Sequence, residues 1–228
     1  MSDSDRVVIL GGHGKIALLA APKLKDAGFS VDSVIRNPDQ SADIEAAGAN
    51  PVVLDIETAD TKALADVFTG AKAVVFSAGA GGGSPERTKA VDLEAAKRAV
   101  DASAEAGVDR FVMVSYSSAG VDLERVDPDN SFYPYVEAKH GADEHLRASS
   151  LDYTILGPGG LTLEPSQGSV LLADDSGDVD GTTPDSDTRV TSRELVADVM
   201  TYVIANDAAK RKTVNFYDGT TPIADAVK

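Results

Sequence analysis

The sequence predicts an α/β fold, a doubly wound parallel β-sheet with helices on both faces. Three observations predict it. Short runs rich in Val and Ile alternate with helical stretches over about 150 residues, the pattern of parallel strands covered on both sides. The first run, "VVIL", is apolar without a break, as a strand with no wet face must be. It leads through a glycine-rich turn into the amphipathic stretch "KIALLAAPKL", so the chain opens with a βα unit. No internal repeat and no linker interrupts the alternation, so residues 1–228 are expected to form a single domain.

In order along the chain, "RVVIL" (6–10) reads as a buried strand and 15–28 as a helix ending at Gly28. Pro22, inside that helix, should bend it or cost one bond. Residues 29–35 read as a strand and 38–48 as a short helix with Pro38 near its first position. A strand at 51–55 and a helix at 60–68, closed by Gly70, follow. The strand 73–78 runs into "GAGGGSP", and a long helix covers 85–106 with Gly107 as its stop. Residues 110–115 are a strand, and 134–148 a helix capped by Asn130 or Ser131. Strands at 152–157 and 169–173 precede a helix over 191–206, where "TSRE" reads as a capping box. The last strand is 212–217.

Composition narrows the function classes. The chain carries 21 basic and 37 acidic residues, a formal net charge of −16. Such a surface repels phosphate backbones, which argues against a nucleic-acid partner. An anionic ligand must then be held by local positive groups set against the overall field. No apolar stretch approaches the ~20 residues that a membrane span requires, and the polar start "MSDSDR" is unlike a signal peptide. There is no cysteine, which removes disulfides and thiolate metal sites and fits a reducing compartment. The expectation is a cytoplasmic monomer or homodimer acting on a small molecule, with no membrane partner.

Parallel sheets of this kind bind ligands at the carboxyl ends of their strands. After the first strand comes Gly11-Gly12-His13-Gly14-Lys15-Ile16-Ala17, a G-x-x-G-x-x-A spacing. Glycine is needed first for the tight turn and again where backbone approaches a pyrophosphate; the third position only has to let the helix pack on the strand, and Ala serves. The helix N-terminus offers N–H groups and partial positive charge to phosphates. The loop therefore reads as a dinucleotide site. His13 either touches the pyrophosphate or fills the turn.

After the second strand, the position where an NAD site would place an acid holds Arg36, followed by Asn37. A guanidinium fork suits a 2′-phosphate, so Arg36 favours NADP over NAD unless it is simply a solvated residue before a helix. With Lys15 it is a candidate for the local positive charge. After the third strand, Asp55 and Ile56 flank an adenine, or Asp55 caps a helix. After the fourth, Ser77, Ala78 and Gly79 let backbone pass close to a ribose, and the following "AGGGS" reads either as a flap over the site or as a plain loop.

After the fifth strand, "SYSSAG" places Ser115 and Ser117 before "YPYVEAK". Tyr135 and Lys139 stand i,i+4 on one helix face. The chemistry that uses such a pair is hydride transfer at a carbonyl: an ammonium lowers the phenol pKa from its ordinary ~10, and a serine polarises the carbonyl. A surface Tyr and Lys at helical spacing is the plain alternative. After the sixth strand, the stiff turn Gly157-Pro158-Gly159 faces the nicotinamide.

With all six strand ends read, the chain resembles the atypical short-chain dehydrogenase/reductases. More narrowly it is similar to their NAD(P)H-binding subgroup, with NmrA-like regulators and flavin and biliverdin reductases. The carrying blocks are "GGHGKIA", "VIRNP", "VVLDIE", "VFSAGAGGG", "VMVSYSSAG", "YVEAKHGADEHLRASSLDYTILGPGGLT" and "VTSRELVADVM", spread over nearly the whole chain. The resemblance implies a Rossmann-type sheet of about seven parallel strands, with a small C-terminal elaboration whose substrate side is built from about 157–190 and the C-terminal segment. By position it implies Gly11, Gly12, His13, Gly14, Lys15 and Ile16 at the pyrophosphate, and Arg36 and Asn37 at the 2′-phosphate. Asp55 and Ile56 then fall at adenine, and Ser77 to Gly79, Lys139, Pro158 and Gly159 at the nicotinamide half. Two departures stand out. Members usually carry Arg where this chain has Gly157, and many lack the catalytic tyrosine yet keep the fold, which leaves Tyr135 either catalytic or a bystander; Tyr133, two residues earlier, competes with it.

Two weaker signals are set aside. "SGDVDGTTPDSD" imitates a calcium loop but starts on Ser176, with no flanking helices evident. His140 and His145 are five apart, off one helix face; no metal is expected. The sequence therefore reads as an NADP(H)-dependent oxidoreductase acting on a small carbonyl, quinone or flavin-like acceptor. In that reading Tyr135 is the acid-base group, Lys139 its tuner and ribose ligand, and Ser115 or Ser117 the polariser. A non-catalytic NADP(H) sensor and a nucleotide-sugar epimerase are the alternatives.

Overall fold

The computed structural model describes residues 5–81 and 84–228. Residues 1–4, and Gly82 and Gly83 of the "AGGGS" loop, lie outside the described residues. The elements follow the predicted alternation: β1 (Arg6–Leu10), α1 (Lys15–Asp26), β2 (Ser30–Ile35), a 3₁₀ turn (Pro38–Gln40), α2 (Ser41–Ala46), β3 (Asn50–Val53), α3 (Thr61–Phe68) and β4 (Ala73–Phe76). Then come α4 (Pro85–Thr88), a π-helical stretch (Lys89–Ala95), α5 (Ala96–Glu105), β5 (Arg110–Val114), α6 (Asp122–Arg125), α7 (Tyr133–Ala148) and β6 (Asp152–Pro158). The chain ends with β7 (Gly160–Thr162), β8 (Ser169–Ala173), β9 (Val190–Ser192), α8 (Arg193–Ala205), β10 (Lys212–Asp218), β11 (Thr221–Pro222) and α9 (Ile223–Ala226).

The main sheet has nine strands in the order β11-β8-β10-β6-β5-β4-β1-β2-β3. The run from β10 to β3 is parallel throughout, and supplies the seven strands expected. β8 and β11 extend it antiparallel at the β10 edge, and β7 and β9 form a small separate ribbon. Strand period two sorts β1 between two cores. Val7 and Ile9 pack with α1 and α8 on one face, and Val8 and Leu10 with α3 and α5 on the other. Every one of these four side chains is fully buried, which is why the run carries no polar residue.

Local differences from the expected elements have local reasons. Residues 38–48 divide into a 3₁₀ turn and the short α2 because Asn37 caps at once, its Oδ1 accepting from the Asp39 N–H at 3.0 Å. The cap of α8 is Ser192, whose Oγ accepts from Leu195 N–H at 3.0 Å, one residue later than a "TSRE" box requires. Glu194 instead accepts from the Ser166 N–H and pairs with Lys23. α7 starts at Tyr133 with no side-chain cap; Asn130 turns the chain by accepting from Phe132 N–H. Pro22 lies inside α1, where its missing N–H forfeits one helical bond. The long helix after β4 is not uniform: its middle is π-helical.

From β1 the chain winds through β2 to β3, then crosses back to place β4 on the other side of β1. The winding reverses between β1 and β4, and the crevice of such a sheet opens outside the strand ends at that reversal.

Candidate cofactor and reaction site

Two cavities lie along that crevice and share Ser77, Ala78 and Gly79 at the end of β4. The first, 350 Å³, is bounded by the turn Gly11 to Gly14, by Arg36, Asn37 and Gln40 after β2, and by Asp55, Ile56 and Glu57 after β3. The second, 520 Å³, is bounded by Ile16, Asp92, Ser115, Phe132, Tyr135, Lys139 and Leu161 among others.

The glycine turn is fixed by contact with the neighbouring strands. Gly11 has φ +78°, and a Cβ there would lie 2.6 Å from the Ala78 Cα; one on Gly12 would lie 2.5 Å from the Ser33 Cβ. No other residue fits either place. Gly14 caps α1 without a side chain, so no side-chain oxygen competes for the first N–H groups of the helix. Ala17 is fully buried against the strand, the packing role expected of the third motif position. His13 lines the cavity while its Nε2 lies 2.8 Å from Asp43 Oδ2. Lys15 heads α1 as an exposed residue outside the linings of both cavities, so the structure does not bring it to the site with the turn.

Arg36 reaches the same mouth. Its Nη1 lies 3.0 Å from Glu57 Oε1, and Arg87 Nε is 3.2 Å from the same oxygen. Two guanidinium groups thus share one carboxylate at the cavity edge. Glu57 is held by its loop: Asp55 Oδ1 accepts from the Glu57 N–H, and Arg98 donates to the carbonyls of Ile56, Glu57 and Ala59. Glu57 and Arg87 have no counterpart in the sequence-based site. Arg87 opens a helix at what reads as a solvent-facing position, and no spacing rule ties it to Arg36.

The second cavity gathers most of the expected reacting groups. Tyr135 and Lys139, one helical turn apart on α7, both line it; Tyr133 does not. The Tyr135 ring packs against Tyr116 and Phe132, with centroids 5.5 and 5.3 Å away. Lys139 is 2% exposed, and its Nζ donates to the Val114 carbonyl at 2.7 Å. Ser115 lines the cavity as well, but its Oγ is 2.6 Å from Asp143 Oδ2.

One expectation is corrected. The i,i+4 ammonium was to lower the Tyr135 phenol; instead burial pushes that phenol well above its ordinary value, and the charges of Asp92 and Asp143 add to the rise. Lys139 does not offset this, and its charge falls on the two carboxylates instead.

Asp92 is the residue that sequence reading missed. It lies in the π-helical stretch, 2% exposed, and its Oδ2 accepts from the Ala80 N–H at 2.9 Å, pinning the loop after β4 over the cavity. Burial pushes its carboxyl up, against the pull of Lys139 and Arg87. π-Turns recur at functional sites because the widened turn re-aims a side chain. The available signal was an acid next to buried Val91 and one turn before buried Ala95 and Ala96.

Three expected site residues, the polariser candidate Ser117 and the nicotinamide-side Pro158 and Gly159, fall elsewhere. Ser117, Pro158 and Gly159 line a neighbouring cleft that meets the second cavity at Phe132 and Tyr135. The Ser117 N–H donates to the Pro158 carbonyl, so strand ends β5 and β6 tie them to each other. The departure at Gly157 also has a structural reason. A Cβ there would collide with Asn215 Oδ1, so the place of the usual arginine is filled from β10.

Comparison with known proteins agrees with this geometry. The model of a family described as NAD(P)H-binding matches residues 11–207. A Bacillus subtilis protein named as an uncharacterized sugar epimerase, YhfK, is 34% identical over 98% of this chain and 99% of its own. A provisionally assigned NAD-dependent epimerase/dehydratase of Bacillus halodurans is 31% identical over 96% of this chain and 97% of its own, with a TM-score of 0.82. A Veillonella parvula short-chain dehydrogenase/reductase solved with NADP shares the fold, at 22% identity, a TM-score of 0.69 and 95% coverage of both chains. The strand-end residues, the crevice they form and these matches have one reading: the chain belongs to the NAD(P)H-binding family of oxidoreductase- and epimerase-like Rossmann proteins, as its resemblance to the atypical short-chain dehydrogenase/reductases implied.

Proposed function

We propose that the protein is an NADP(H)-dependent oxidoreductase that transfers hydride to a small carbonyl, quinone or flavin-like acceptor. The observation that carries this reading is the pair of cavities joined at Ser77–Gly79: one edged by Arg36 and Arg87, the other by Tyr135, Lys139, Ser115 and Asp92. The residues fit the nucleotide, since Gly11 and Gly12 leave room where a Cβ would block a close backbone approach. Gly11 to Gly14 and the first turn of α1 hold the pyrophosphate, with Ile16 beneath it. Arg36, Asn37 and Arg87 take the 2′-phosphate, with Glu57 giving way, and Asp55 and Ile56 flank the adenine.

The bound nicotinamide supplies the hydride. In the second cavity, Ser115 and Tyr135 meet the acceptor oxygen, and Lys139 orients the ribose with the protons that the Val114 carbonyl leaves free. Tyr135, held protonated by its surroundings, orients the acceptor as a hydrogen-bond donor. Leu161 of β7 and Phe132, just before α7, line the apolar side, which supports a substrate side that includes part of 157–190.

Thermal shift with NADPH and with NADH, followed by nucleotide consumption over a carbonyl, quinone and flavin panel, tests the reading. Stabilisation by NADPH with turnover on one class supports it; no response to either nucleotide refutes it. The name of the Bacillus subtilis relative favours a second reading, an epimerase acting on a nucleotide sugar. That reading predicts sugar inversion with no net consumption of nucleotide in the same assay.

A further inference from the structure

Asp143 stands on α7 one turn beyond Lys139, is 1% exposed, and belongs to two environments at once. Its Oδ2 is hydrogen-bonded to Ser115 Oγ at 2.6 Å, and Ser115 lines the reaction cavity. Its Oδ1 is buried with no hydrogen-bond partner among the described residues. A buried orphan oxygen costs free energy, so its presence calls for a reason. Asp143 also lines a separate cavity of 320 Å³, with Tyr116, Arg147, Asp175, Thr213 and Asn215. Its walls are polar enough to hold water. Asp143 thus lines the polar cavity and is joined to the reaction cavity through Ser115.

We propose that Asp143 and Ser115 form a proton relay that draws from the polar cavity and delivers to the acceptor oxygen in the reaction cavity. The proposal rests on the oxidoreductase reading above and names the source of its proton. As hydride from the reduced nicotinamide forms the new C–H bond, the π pair of the acceptor C=O moves onto oxygen. The Ser115 O–H bond breaks and its proton goes to that oxygen. The Asp143 carboxyl O–H bond breaks and its proton passes to Ser115 Oγ. A proton taken up from solvent and passed along water in the polar cavity returns to Asp143, leaving that water neutral. The acceptor has then gained one hydride and one proton, and the cofactor is left oxidised. A separation of 2.6 Å serves with the proton on either oxygen.

The surroundings of Asp143 suit the task. Lys139, His140 and Arg147 of α7 favour its ionised form, as does the Ser115 hydroxyl, but burial outweighs them and holds the carboxyl above the usual range. Tyr135 of α7 and Tyr116 after β5 face it as neutral phenols, both pushed up. Glu144 of α7 and Asp175 after β8 bring negative charge to the polar cavity, while Thr213 and Asn215 of β10 are neutral. Asp92 is the competing proton source. It lines the reaction cavity, is absent from the lining of the polar one, and its Oδ2 is taken by the Ala80 N–H. Once cofactor and acceptor fill the reaction cavity, Asp92 has no separate supply to reload it. Asp143 has one.

The test uses the full chain with Asp143→Asn, Ser115→Ala and the double variant. Infrared difference spectra of wild type against Asp143→Asn read the carboxyl C=O band directly, without turnover. The expected result is a protonated-carboxyl band belonging to Asp143 at neutral pH that shifts in Ser115→Ala. In steady-state assays with NADPH, each single variant should lose about 10²-fold in kcat. The high-pH limb of the rate profile should vanish in Asp143→Asn, and the double variant should be no worse than either single. If Asp143→Asn fails to fold, Ser115→Ala carries the kinetic test and its band shift the spectroscopic one. An ionised Asp143 at neutral pH overturns the relay. So does an Asp143→Asn enzyme that is uniformly slower with an unchanged pH profile. A wild type that consumes no nucleotide overturns the oxidoreductase reading and the delivery step together, whereas turnover with an unmoved profile overturns the relay alone.

Discussion

The two cavities that meet at Ser77–Gly79 are built on opposite physics. The first is made of backbone and exposed charge: glycines that let strands and a turn approach, and guanidinium groups that stay in water with Glu57 between them. The second is made of buried charge. Lys139 and Asp92 in its wall, and Asp143 behind Ser115, are each about 2% exposed or less, and burial pushes the two carboxyls up. The first geometry suits recognition of a solvated anion, where two exposed arginines count despite a net charge of −16. The second suits moving protons, because burial raises a carboxyl's pKa from its ordinary acidic range toward neutral pH.

The strongest way to break the first cavity is steric. In Gly11→Val the side chain has no room against the Ala78 backbone and must also adopt φ +78°. Crowding and backbone strain together should cost about 3 kcal/mol or more, read in urea denaturation, and remove nucleotide binding. In the second cavity, Tyr135→Phe keeps the ring contacts with Tyr116 and Phe132. Turnover should fall about 10²-fold while the thermal shift by NADPH is unchanged, the loss of one hydrogen bond to the developing oxyanion. Equal loss of binding and turnover would place Tyr135 in recognition instead.

The third prediction is thermodynamic. A carboxyl whose pKa is raised by folding binds more protons folded than unfolded, so its effect on stability worsens as pH rises from the ordinary carboxylate range through the raised value. Stability of wild type minus that of Asp92→Asn should therefore become less favourable with rising pH over that window and level off above it. A flat difference would mean that Asp92 titrates normally and that burial does not govern the second cavity. The smaller effects lie at the exposed edge. Arg36→Ala should weaken NADPH about 10-fold, the worth of one charge-assisted bond of roughly 1.5 kcal/mol, and leave NADH unchanged. Glu57→Gln should tighten NADPH by less than that, since it frees both arginines.

The same division explains what could be read from the sequence. The first cavity depends on local signals: a glycine spacing after an apolar run, and Arg36 at a set distance from it. These place the turn, Arg36, Asn37, Asp55 and Ile56 together as expected. Lys15, exposed at the head of α1, lies outside the linings of both cavities, which the glycine spacing could not show. The second cavity depends on burial and on contacts between distant residues. Helical spacing puts Tyr135 and Lys139 on one face, but it cannot show that Lys139 spends a bond on Val114 and its charge on Asp92 and Asp143. The Ser115–Asp143 bond joins residues 28 apart, and the π-helical turn that aims Asp92 has no sequence signature within a long helical pattern. The antiparallel strands β8 and β11 at the sheet edge turn on pairing rather than pattern, so of the two only β8, an apolar run, was expected.

The central claim is that the joined cavities hold a dinucleotide bearing a 2′-phosphate. Side-by-side titration of the protein with NADPH and NADH, followed by nucleotide fluorescence, tests it most directly. The account predicts NADPH bound at least about 10-fold more tightly than NADH, with the difference abolished in Arg36→Ala. Equal affinities, or binding of neither, would contradict it.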